Sequence, residues 1–227
     1  TGTLNIADLA ERLPAVAETR TILIALAFLT IGIGLKAGLF PLHIWLPNAY
    51  CYAPSVVTSF LAATATKVAI YALLRVYFTV FGINTIESLP VSELLLAMGL
   101  IAIVLMSTVA IYQNDAKRLL AYSSIAQIGY MVIGVSMLTV NGLTATTIHL
   151  FNHALMKAVL FLALAAIFYR INSVNIKDMA GLGKAMPFSM AAFLIGGLSL
   201  IGVPLTVGFV SKWYLILAAL ENGWGPV

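Results

Sequence analysis

The stretch HLFNHALMKAVLFLALAAIFY, residues 149–169, decides what kind of protein this is. It has the length of about 20 residues that a helix needs to cross a bilayer core, and it is apolar nearly throughout. Yet it carries two histidines and a lysine at four-residue spacing, His149, His153 and Lys157. On a helix, positions i, i+4 and i+8 fall along one face, so the three titratable groups form a single stripe. Ionisable groups inside a membrane helix are costly and mark pathways for ions or protons.

The rest of the chain agrees with a membrane setting. Of 227 residues, 62% are hydrophobic and 9% are charged, whereas a soluble domain has roughly 45–50% and about 25%. The sequence therefore reads as an all-α polytopic membrane protein. Apolar segments lie at 21–40, 55–81, 92–112, 117–138, 143–169 and 187–220. The last is too long for one span and is interrupted by GVPLTVGF, so it reads as two helices, giving about seven transmembrane helices. Residues 1–20 form a polar, partly helical lead-in, and residues 21–220 form the transmembrane domain. The chain begins at Thr1, not Met, and shows no signal-peptide pattern, which leads us to expect a fragment of a longer protein.

Basic residues set the expected orientation. Lys117 and Arg118 lie in one loop, and Arg170, Lys177 and Lys184 in another, two spans away. The two loops should share the cytoplasmic face, with Thr1 on the other side. A net charge of +4 then reports membrane topology and gives no reason to expect nucleic acid. A lone cysteine, Cys51, leaves no disulfide framework and no cysteine-ligated cluster.

Three lysines lie deep in apolar segments: Lys67, Lys157 and Lys212. A lysine near a span end, such as Lys36, can snorkel to the interface, but Lys67 and Lys157 have more than ten residues on either side. Neither Asp nor Glu occurs between Thr19 and Ile86, between Leu94 and Asn114, or between Met179 and Leu220. The deep lysines are thus either neutralised by burial or paired with an acid from elsewhere. In both cases their proton affinity is switchable.

Histidine accepts a proton on one nitrogen while releasing one from the other. The His149–His153–Lys157 stripe, about 12 Å long at 1.5 Å per residue, therefore suits a proton wire closed by water. The competing reading is a set of histidines satisfied by neighbouring hydroxyl or backbone groups. No carboxylate or thiol completes a metal site, and haem ligation would need a facing histidine. Pro54, before the Lys67 span, and Pro204, with Gly202 and Gly208 before Lys212, mark candidate broken helices or proline kinks.

Four stretches carry a resemblance: GLKAGLFPLHIWLPNAY with APSVVTSFLAATATKVAIYALLR, NDAKRLLAYSSIAQIGYMVIG, HLFNHALMKAVLFL and IGVPLTVGFVSKWYL. They resemble the antiporter-like membrane subunits shared by complex I (NADH-quinone oxidoreductase), membrane-bound hydrogenases and the Mrp-type multisubunit cation/proton antiporters. The resemblance implies two inverted repeats of five helices, each with a broken helix, in a multi-pass protein of the cell's inner membrane. It implies that Lys67 is the lysine of the first broken helix, with a partner glutamate expected before Thr1. His149, His153 and Lys157 would be the connecting relay, and Lys212 the charged residue of the second broken helix.

Gln127 stands where some complex I-type members have a histidine and could hold only a water. Asn48 replaces an aspartate common in the family. These details lean toward the D-type member of the Mrp antiporters. The implied partners are other membrane subunits, the lipid bilayer, protons and sodium ions. Nothing in the sequence points to a bound NADH, flavin or cluster, so any NADH-quinone oxidoreductase chemistry would belong to other subunits. Two further readings stay open at this point: a proton-coupled solute carrier, and a structural subunit whose titratable groups no longer act.

Overall fold

The computed structural model describes residues 2–17 and 19–223. A short amphipathic helix, α1 (Ile6–Arg12), is N-capped by the Asn5 side chain and stapled by Arg12 and Asp8 at 2.6 Å. It packs against the far end of the Lys67 span. Leu13, just beyond it, is buried with Leu26, Phe81 and Ile86, so the lead-in is tied to the bundle by its apolar side.

Among the described residues, five helices are long and apolar enough to cross a membrane. They are α2 (Arg20–Ala37), the continuous helix Ser55–Phe81, α7 (Val91–Ile111), α8 (Ala116–Ser136) and α9 (Val140–Ile171). Two fifteen-residue helices, α11 (Pro187–Ile201) and α12 (Val207–Glu221), bring the described helices of the bundle to the seven expected, the last two together making a sixth crossing. Short helices α6 (Ile83–Glu87) and α10 (Leu182–Ala185) lie in the connections before α7 and α11. α11 and α12 share one crossing. α11 starts beside the basic loop at 172–186, whereas Glu221 and Asn222, at the end of α12, hydrogen-bond Asn141 and the Met137 carbonyl at the opposite end of the bundle.

The two basic loops do lie at one end. Ala116 N–H donates to the Val174 carbonyl and Ile176 N–H to the Asn114 carbonyl, both at 2.9 Å, closing a one-residue β-bridge between Asp115 and Asn175. Asp115 also N-caps α8, accepting from Arg118 N–H at 2.9 Å.

The first helix break is not where Pro54 suggested. Pro54 is the N-cap of α4 (Ser55–Phe60), in an ordinary turn between spans. The break lies at residues 38–44, between α2 and α3 (Trp45–Tyr52). Gly38 ends α2 in the left-handed region at φ 78°, a conformation that costs a side chain but not glycine. The Trp45 indole N–H donates back to the Leu35 carbonyl at 2.8 Å, satisfying one of the last-turn acceptors. Lys67, expected in a broken helix, stands instead in the continuous span. It follows a π-helical segment at Leu61–Ala65 and lies in the first turn of α5 (Thr66–Leu74).

The second break lies where Gly202 and Pro204 placed it. Gly202 caps α11 at φ 90°. The two broken helices run in opposite senses, α2 to α3 toward the basic end and α11 to α12 away from it.

α8 is the most enclosed of the spans, and glycines let its neighbours reach it. Gly99 of α7 and Gly129 of α8 face each other so closely that a Cβ on Gly129 would lie 2.8 Å from the Gly99 carbonyl oxygen. Gly142 of α9 likewise sits against the Gly134 carbonyl of α8. Small residues at such crossings allow the backbone proximity on which helix association in lipid depends. The outer surface displays Phe28, Val56, Phe60, Val104 and Phe188, as a surface bathed in acyl chains requires.

Candidate functional site

The site forms where α8 and α9 run antiparallel and α12 closes over them. α9 turns His149, Asn152, His153, Met156 and Lys157 inward, and all five are buried. The phenylalanines and leucines on its other faces, Phe151, Leu155 and Leu162, point outward. This apolar exterior and polar interior form the reverse of a soluble helix, and a membrane helix beside a hydrated path has this pattern.

At one end, the Lys157 amine donates to the Leu120 carbonyl at 2.7 Å and to Ser123 Oγ at 2.5 Å. Ser123 in turn donates to the same Leu120 carbonyl at 2.9 Å. Lys157 is fully buried, so these α8 acceptors replace the water it has lost. At the other end, His149 Nδ1 meets Ser211 Oγ of α12 at 2.8 Å, and the Ser211 hydroxyl also reaches the Gly208 carbonyl at 3.1 Å. Between them, the rings of His149 and His153 stack nearly parallel, with centroids 5.9 Å apart.

Four buried polar atoms here meet no protein partner among the described residues: His149 Nε2, both nitrogens of His153, and Gln127 Oε1. The helix register explains why Gln127 is among them. Ser123 meets Lys157 and Tyr130 lies edge-on to His149, with ring centroids 6.3 Å apart. Gln127, midway between Ser123 and Tyr130 on the same face of α8, therefore falls opposite His153. Buried polar atoms in proteins are almost always hydrogen-bonded, to water where no side chain serves. This donor and acceptor set suits water.

Lys67 also lies inside, buried at 4% exposure. Its amine donates to the Ala62 carbonyl within the π segment and to Thr66 Oγ1 at 3.3 Å. Single π turns recur at functional sites because they displace backbone groups from the regular ladder. That segment packs directly on α9, which puts Lys67 beside the histidine row.

Lys212 is half-buried and reaches across the second break. It donates to the Ile201 carbonyl at 2.8 Å and the Leu200 carbonyl at 3.1 Å, the last acceptors of α11. A cation at a helix C-terminus is favoured by the helix dipole. The same ammonium sits 5.0 Å from the Tyr130 ring centroid. Asn152 ties α9 to the start of α12 by donating to the Val207 carbonyl at 2.8 Å.

The spatial order is thus Lys157, His153, His149, Ser211 and then the break that Lys212 spans, with Lys67 flanking the row. Spacing along the chain predicted the lysines and histidines of this row but gave no sign of Ser123 or Ser211. Lys36, set aside as a snorkelling lysine, occupies the last turn of α2 at the first break, on an exposed face.

Two oppositely directed broken helices with a buried Lys–His row between them define a polytopic helical membrane protein of the broken-helix kind. The family is specific: residues 1–226 match the transmembrane family described as NADH:quinone oxidoreductase/Mrp antiporter, and the chain belongs to it. It is 44% identical over 226 residues to the NADH-quinone oxidoreductase subunit N of Desulforudis audaxviator, covering 98% of this chain and 44% of that one. It is 36% identical over 227 residues to the D component of the Na(+)/H(+) antiporter of Alkalihalophilus pseudofirmus, again covering 98% and 44%. A chain in the structure of the Mrp complex from Dietzia sp. superposes with a TM-score of 0.90 at 32% identity, over 99% of this chain and 41% of its own length. The chain therefore spans less than half the length of the relatives it matches.

Proposed function

We propose that this chain is the proton-translocating part of a membrane subunit in a multisubunit monovalent cation/proton antiporter. Residues 21–220 are the translocating domain, set in the inner (cytoplasmic) membrane among other membrane subunits, with the basic loops on the cytoplasmic side. The observation that carries this reading is the buried row from Lys157 through His153 and His149 to Ser211, ending beside the break spanned by Lys212. Lys67 takes a proton from one half-channel. Waters held between Gln127 and the histidines pass it along the row, and Lys212 releases it on the other side. Coupling is electrostatic, because a charge gained by one lysine lowers the proton affinity of the next, by about 4 kcal/mol at 4 Å and an effective dielectric constant of about 20.

The 44% identity to a subunit N favours a second reading, a proton-pumping membrane subunit of NADH-quinone oxidoreductase or of a membrane-bound hydrogenase. The row would do the same work there, driven by redox chemistry in other subunits. One experiment separates the two. The full-length protein, assembled with its partners in inverted vesicles, is compared with Lys67→Ala and Lys157→Ala by a fluorescent pH-gradient assay. Loss of a sodium-triggered signal in normally assembled variants supports the antiporter. Loss of only the signal driven by a respiratory substrate supports the pump. If both variants match the parent, the relay fails and the chain is a structural subunit.

A further inference from the structure

We infer that Ser211 is a positioning and proton-passing residue that joins the histidine row to the second broken helix and gives the row a direction. This rests on the relay reading above. Ser211 is 1% exposed, and its oxygen touches two groups, His149 Nδ1 at 2.8 Å and the Gly208 carbonyl at 3.1 Å. A serine hydroxyl has one proton to donate. A carbonyl only accepts, so both contacts are hydrogen bonds only when the proton points at Gly208 and the oxygen accepts from His149, which is the arrangement we assign. His149 therefore carries its proton on Nδ1, and Nε2 is left as the basic nitrogen.

Nε2 is buried and meets no protein partner among the described residues. It is the nitrogen at which a proton can arrive. Arrival makes the ring an imidazolium, whose Nδ1 proton passes to Ser211 Oγ as the hydroxyl proton leaves for an amine or water on the α12 side. One proton enters at Nε2 and one leaves from Oγ, so no net charge stays on the serine. Afterwards the ring holds its proton on Nε2 and the hydroxyl, carrying the proton it took from Nδ1, points at Nδ1; the resting state returns when the hydroxyl turns back to Gly208 and the ring's proton passes from Nε2 to Nδ1 through water. Gly208 lies in the first turn of α12, where a Cβ would strike the Ser199 backbone of α11. Each proton that passes thus releases and restores a hydrogen bond at the packed junction of the two half-helices.

Lys157 rests on Ser123 in the same manner, amine to hydroxyl to the Leu120 carbonyl. The difference lies in the donor, because an amine can keep donating in either protonation state whereas an imidazole nitrogen reverses its role.

The test uses the full-length protein in its assembled complex. With 15N-labelled histidine, and assignment by the difference from His149→Gln, the resting His149 resonances should report a neutral ring protonated on Nδ1. A ring protonated on Nε2 overturns the inference without any functional assay. In vesicles, Ser211→Ala should slow proton transport by about tenfold, the equivalent of one lost charge-assisted hydrogen bond, and should mix the His149 tautomers. Ser211→Thr should recover rate and tautomer together. Ser136→Ala, which removes a hydroxyl bonded only to its own helix at Ile133, should keep the parental rate. If Ser211→Ala transports normally while Lys157→Ala does not, the relay stands and the role of Ser211 falls. If Lys157→Ala also transports normally, it is the relay that fails.

Discussion

Gly99 and Gly129 meet across the α7–α8 crossing with no room for a methyl group on either: a Cβ on Gly99 would lie 2.7 Å from Ile133 Cγ1 and 3.0 Å from the Gly129 carbonyl oxygen. Because α8 carries Ser123, Gln127 and Tyr130 to the buried row on α9, this crossing sets how the acceptors face α9. Gly129→Ala should destabilise the protein by about 1–3 kcal/mol, the usual cost of overpacking. Gly197, which has nothing near its Cβ position, should tolerate the same change or gain up to about 1 kcal/mol from helix propensity. Thermal unfolding in detergent, followed by tryptophan fluorescence, measures both.

Ser123 gives Lys157 one of its two acceptors. Replacing it with alanine leaves the amine fully buried with one acceptor fewer, at a cost of about 1.5–3 kcal/mol for a hydrogen bond to a charged group. The loss falls on the amine's place in the row, so Ser123→Ala should slow proton transport in vesicles by about tenfold or more, and Ser123→Thr, which keeps the hydroxyl, should recover most of the rate. Transport by Ser123→Ala at the parental rate would contradict it.

Lys212 closes the second break by donating to the Leu200 and Ile201 carbonyls. Lys212→Met removes the donor while keeping much of the stem, so residues 200–206 should lose protection in hydrogen exchange. Lys212→Arg restores a cation and should restore protection. Unchanged exchange in the methionine variant would show that Gly202 alone holds the cap.

The Asp115–Asn175 bridge brings two loops from different spans into register. Cα atoms of directly opposed antiparallel residues are about 4.5–5.5 Å apart, within the range that a disulfide spans. The double variant Asp115→Cys, Asn175→Cys in a background of Cys51→Ala should therefore cross-link on mild oxidation in membranes. A gel-shift after protease cleavage between the loops reads the result, and failure to cross-link would mean that the loops stand apart.

Much of this architecture is readable from residue type. Membrane spans announce themselves because burial in lipid demands unbroken apolar length, and His149, His153 and Lys157 share a face by spacing alone. The first break is harder to place. FPLHIWLPNAYCYAP reads as a loop between spans, yet its second half is helix α3, because Pro47 falls in the first turn, where a missing N–H costs nothing. Pro54 resembles a helix interruption for the converse reason, and it begins a helix. Ser123 and Ser211 give no signal, since a serine on a membrane helix usually bonds its own backbone. Only the approach of α9 to α8 and α12 makes these two different.

His149 and Lys157 are eight residues apart on α9, so the row runs along the helix, not around it. At 1.5 Å per residue that is about 12 Å of a hydrocarbon core about 30 Å thick. A proton moving down the row of an upright helix would cross some two-fifths of the membrane's electric field. With about 2.3 kcal/mol per elementary charge per 100 mV across the whole membrane, that passage alone would exchange about 0.9 kcal/mol with a 100 mV potential. Under the proposed relay, the spacing of three side chains on one helix would make the central step voltage-sensitive, sped or slowed by the membrane potential.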